Sequence, residues 1–74
     1  MLSVKVFSRV TGRALPHREV SLGFDPDDRG VAGPAVTDRN GEVRFPEAPA
    51  LGRVYVDGRR QHVGWLAGRV VVHV

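Results

Sequence analysis

Apolar residues in this chain recur at every second position, in short runs, and this alternation constrains the fold more than any other feature. Val4, Val6 and Val10 share parity, with Ser3, Lys5 and Arg9 between them. Successive side chains of a strand point to opposite faces, so period two marks a half-buried strand; a helix would repeat its apolar residues at i, i+3 and i+4. No segment reads as an amphipathic helix. The alternation predicts strands over 2–9, 18–24, 35–37, 42–45, 53–57, 60–66 and 69–74. The inward set it predicts is Val4, Val6, Val20, Leu22, Phe24, Val36, Val43, Phe45, Val54, Val56, Trp65, Val70 and Val72.

The segments between these strands carry turn chemistry. Thr11-Gly12-Arg13 reads as a turn, with Leu15-Pro16 leading out of it. Asp38-Arg39-Asn40-Gly41 is the sharpest local signal, because Asn-Gly accepts the positive φ of a tight hairpin and so predicts that the flanking strands pair. Asp57-Gly58 is a second signal of the same kind. Asp25, Asp27 and Asp28 surround Pro26, a composition that favours a solvated loop over a calcium site, since no helix–loop–helix pattern or closing glutamate accompanies them. Gly33-Pro34 reads as a further break, and Gly64 and Gly68 suggest a bulge or bend around the sixth strand.

The chain has 74 residues and no cysteine. The length predicts a single domain over 1–74. So short a chain hides only about 60% of the surface its unfolded form exposes. Without disulfides or thiolate metal sites, its stability has to come from packing, hydrogen bonds and assembly. The net charge is +3, and Lys5 is the only lysine among eleven basic residues. These are dispersed among acids, with Arg59-Arg60 the only adjacent pair, whereas a nucleic-acid footprint needs a clustered stripe. The N-terminus MLSVKVFSRV lacks the apolar run of a signal peptide, so a cytoplasmic chain is expected if the sequence is complete. No apolar run approaches the ~20 residues of a membrane span.

With the strands placed, several motifs fall in a familiar order. Val4-Lys5-Val6, Thr11-Gly12-Arg13-Ala14-Leu15-Pro16 and Val20-Ser21-Leu22 resemble the opening of transthyretin-like domains. Thr37-Asp38-Arg39-Asn40-Gly41-Glu42-Val43-Arg44-Phe45 resembles the T-D-x-N-G-x-[FV]-x-F hairpin of carboxypeptidase regulatory-like domains, and Gly52-Arg53-Val54-Tyr55-Val56 is similar to the strand that follows it there. The resemblance covers residues 2–58 well and the rest loosely, and His17-Arg18-Glu19 departs from it where the family often has Gly-Ala. It implies an all-β fold: a six- to seven-stranded antiparallel β-sandwich, prealbumin-like, with Greek-key connections. The superfamily's hydroxyisourate hydrolase opens with a strand whose histidine is catalytic. Lys5 stands at that place here, and the enzyme's C-terminal Tyr-Arg-Gly-Ser signature is missing.

No other constellation in the sequence carries chemistry. His17, His62 and His73 show no metal-ligand spacing, no nucleophile elbow surrounds Ser3, Ser8 or Ser21, and no glycine loop is built to cradle a phosphate. The reading is therefore non-enzymatic, with no catalytic residue, no metal and no cofactor. By alternation Lys5, Phe7, Tyr55, Val71 and His73 point away from the inward valines. Aromatic residues are enriched where proteins bind one another, and these five are the expected contact residues for a protein partner or self-association. Two alternatives stay open: a small basic β-domain binding nucleic acid, which the charge pattern disfavours, and a degenerate member of the hydrolase/transthyretin superfamily.

Overall fold

The computed structural model describes residues 1–24 and 30–74. The acidic loop of Asp25, Asp27 and Asp28 thus lies outside the described residues. Seven strands follow in order: β1 Leu2–Phe7, β2 Glu19–Phe24, β3 Val31–Val36, β4 Glu42–Phe45, β5 Ala50–Val56, β6 Arg59–Leu66 and β7 Arg69–His73. They form two sheets, one of three strands in the order β4-β1-β7 and one of four in the order β3-β2-β5-β6. Both sheets feed one apolar cluster. Leu2, Val4 and Val6 of β1 meet Val43, Phe45, Val70 and Val72 from the same sheet, and Val20, Leu22, Val54, Val56 and Leu66 from the other. Burying a valine or leucine fully is worth about 1.5–3 kcal/mol, so these residues are the main stabilising contribution.

The expected strands all form, β4 with the expected boundaries and the others with changed ones. β1 stops at Phe7 rather than at residue 9, because Ser8 turns the chain: its Oγ accepts hydrogen bonds from Val10 N (3.2 Å) and Thr11 N (3.1 Å). Such a hydroxyl turn competes with the ladder, and it leaves Val10 exposed. β3 is six residues long instead of a short stretch from residue 35. It tolerates Pro34, after a cis Gly33-Pro34 bond, because it is an edge strand.

Direction and pairing depart further from expectation. β1 and β7 run parallel, Val4 opposite Val70 and Val6 opposite Val72, so the three-stranded sheet is mixed rather than antiparallel. Alternation fixes which side chains share a face, but it is blind to strand direction. The Asn40-Gly41 turn has the expected chemistry, with Gly41 at φ 74° and Asp38 Oδ1 accepting hydrogen bonds from Asn40 N and Glu42 N. It does not close a hairpin, however, because β3 and β4 belong to different sheets. Gly41 is instead wedged against β1: a Cβ there would stand 2.9 Å from Val6 O and from Leu15 N. The Asp57-Gly58 turn is a true two-residue hairpin joining β5 to β6, with φ 51° and 82°.

Two members of the predicted core lie outside. Val36 is 57% exposed, opposite Glu19. The β2–β3 register shifts between Val20 and Leu22, and this bulge turns Ala32 and Ala35 toward the core in place of Val36. Trp65 is 61% exposed. Its neighbour Leu66 takes the interior, with Cδ1 3.1 Å from where a Cβ on Gly52 would stand. The missing side chain of Gly52, which faces Gly64 across the β5–β6 ladder, leaves space that Leu66 fills. A one-residue change of parity moves a whole strand face from core to solvent.

Candidate functional site

Four of the five expected contact residues come together on the outer face of the three-stranded sheet. Lys5 is in register with Val71, and Phe7 with His73. The Phe7 and His73 rings stack with centroids 5.6 Å apart and planes 22° from parallel. Lys5 Nζ lies 5.6 Å from the Phe7 centroid, within cation–π range. Across β1, Arg69 Nε reaches Glu42 Oε2 at 3.1 Å. Phe7 is half-buried beneath these neighbours, while Val71 stays exposed. Tyr55 does not join them. It lies on β5 in the other sheet, between Ser21 and Arg60.

The outer face of the four-stranded sheet is different. Leu51 and Trp65 are direct cross-strand partners there, and the next outward row runs Val31, Gly23, Arg53, Val63. Val31, Leu51, Val63 and Trp65 are all exposed. The sequence reading missed this face because it assigned Trp65 to the interior. The available signal was Leu66 itself, an apolar residue of opposite parity to Trp65 in the same strand.

The two turns carry the perturbed carboxyls. Asp38 is held below the usual 3.8, chiefly by the hydrogen bond from the Glu42 backbone N–H and then by that from Asn40. Asp57 is held below the same value, first by the Arg18 guanidinium, which donates to Oδ2 at 2.9 Å, and then by Glu19 N, which donates to Oδ1. Among the described residues no three histidines or carboxylates gather closely enough to hold a metal ion, and no helix is long and apolar enough to cross a membrane.

No protein-family model, curated protein or solved structure matches this chain. Function therefore rests on the two outer faces and on the ends of the sheets.

Proposed function

We propose that the chain is a non-enzymatic β-sandwich interaction module, transthyretin-like or carboxypeptidase regulatory-like, that docks on a protein partner through the outer face of its four-stranded sheet. The observation that carries this reading is the bare Leu51–Trp65 pair with Val63 beside it. Scattered apolar surface residues are ordinary, but a contiguous group containing a tryptophan matches the composition of interface centres. A short chain without cysteine also gains from the added burial. The sandwich part of the reading is supported by the wiring: four connections change sheet, and only β2–β3 and β5–β6 join strands within one.

The test places a photo-crosslinking benzophenone side chain at position 65 or, as the control on the other sheet, at position 71, in cells expressing the chain. A discrete protein adduct from position 65, either a second copy or another protein, with none from position 71 is the expected result. Equal adducts at both positions, or none at either, would remove the reading. Crosslinking to nucleic acid from position 65 would replace it with the basic-domain alternative.

A further inference from the structure

A cavity of about 340 Å³ opens at the end of the molecule opposite the β6–β7 connection, where β1, β5 and β7 finish and β2 and β6 begin. It is separate from the docking face and is built from different residues. Its size falls in the range of small-molecule sites.

Four of the five polar side chains in its wall can donate a hydrogen bond. Ser8 Oγ already accepts two backbone N–H groups, so its hydroxyl proton is left to donate. Arg59 sits opposite Val56 at the start of β6. Gln61 also lines the cavity. It is the residue skipped where the β5–β6 register shifts, between His62 opposite Val54 and Arg60 opposite Tyr55. A bulge is a recurrent way to re-aim a side chain at a site. No hydrogen bond or ion pair engages the side chain of Arg59 or Gln61 among the described residues. The one acidic side chain in the wall, Asp57, already has both oxygens occupied, by Arg18 and by Glu19 N.

Arg18 is held in place from behind. Thr37, the only buried polar residue among those described, donates its hydroxyl proton to Leu15 O at 2.7 Å and accepts from Arg18 N at 2.9 Å. Backbone bonds from His17 N to Thr37 O and from Thr37 N to Arg18 O complete the clasp. They hold His17 at φ 60°, a conformation non-glycine residues seldom adopt. The Asp57 ion pair then fixes the guanidinium. The rest of the lining is apolar: Leu15, Val56 and Val74.

A wall of unengaged donors beside a small apolar surface calls for an acceptor-rich, negatively charged ligand with a short hydrocarbon body. We propose that this cavity binds a small organic carboxylate, its oxygens on Arg59, Gln61 and Ser8 and its hydrocarbon against Leu15, Val56 and Val74. Arg18 and Asp57, neutral as an ion pair, fix the shape of the wall, and Arg59 supplies its positive charge. Arginine suits this task because its planar fork matches a carboxylate.

The test is a two-dimensional NMR titration of the full chain with 3-methylbutanoate, its neutral amide, and inorganic phosphate. Saturable shifts are expected with the carboxylate at the Gln61 side-chain amide and at the Ser8, Asp57 and Arg59 backbone amides. Loss of a charge-assisted hydrogen bond weakens binding roughly tenfold or more, the effect expected for Arg59→Gln and for the amide ligand. Arg59 is exposed and outside the core, so the variant's remaining spectrum should be unchanged. Absence of saturable shifts, equal binding of the amide, equal binding by Arg59→Gln, or phosphate binding as tightly as the carboxylate would each overturn the proposal.

Discussion

The two sheets turn their backs to solvent in different ways. On the three-stranded sheet the outward aromatic is covered from within the chain: Phe7 lies under Lys5 and against His73, and the Arg69–Glu42 pair crosses β1 nearby. On the four-stranded sheet Trp65 and Leu51 pair with each other on the edge strand and its neighbour, and both remain exposed. Similar residue types therefore carry different meanings. A covered aromatic contributes to the stability of its own sheet, whereas a bare one is surface available to another molecule.

The contrast is most easily broken at Gly52, against which Leu66 packs. A Cβ at Gly52 would overlap the Gly23 carbonyl oxygen and crowd Leu66. Gly52→Ala should cost about 1–3 kcal/mol in urea unfolding, as overpacking does. A neutral result would mean that Leu66 does not hold the interior and Trp65 is not forced outward. The next effect in size is Phe7→Ser, which removes both the stack and the cation contact and should lose about 1 kcal/mol. Trp65→Ser should shift stability by no more than about 0.5 kcal/mol while abolishing the adduct from a benzophenone placed at position 63 on the same face. If Trp65→Ser proved the more destabilising of the two, covered and bare faces would have to change places.

The smallest effects concern pH, with one carboxyl on each sheet. Asp38 leads into β4 and Asp57 closes β5, and both are held below 3.8 in the folded chain. A carboxyl with a lowered folded value adds stability that is complete above its unfolded value and is lost as pH falls through the folded one. Asp38→Asn and Asp57→Asn should each lower stability at neutral pH and flatten its decline below about pH 4, read from thermal unfolding between pH 7 and pH 2. Both side chains are solvent-accessible, so the changes should be small and should shrink further in salt. An acid limb as steep as that of the unsubstituted chain would show that the turn hydrogen bonds do not bias these protons.

Much of the fold was legible in the sequence, and the reason is local. Val4 and Val6, Val20 and Leu22, Val54 and Val56, and Val70 and Val72 all face inward as alternation requires. The Asp57-Gly58 hairpin forms where its φ preferences put it. Lys5, Phe7, Val71 and His73 could be grouped because two neighbouring strands with clean alternation carry them. Tyr55 could not be placed relative to them, since alternation says a residue is outward without saying on which sheet. The cavity was illegible for a further reason: its donors come from three separated stretches of chain, and one of them, Gln61, enters through a bulge.

What the sequence determined by itself is the strand character of each segment, the position of its turns and most of its inward residues. These follow from the period-two geometry of an extended backbone and from the φ demands of glycine and its neighbours. Tertiary structure alone decided the rest: β4 pairs with β1 rather than β3, β7 runs parallel to β1, and Leu66 rather than Trp65 enters the core. Alternation fits either face of a strand and either direction, and a single bulge resets its parity, so only contacts between distant segments can choose.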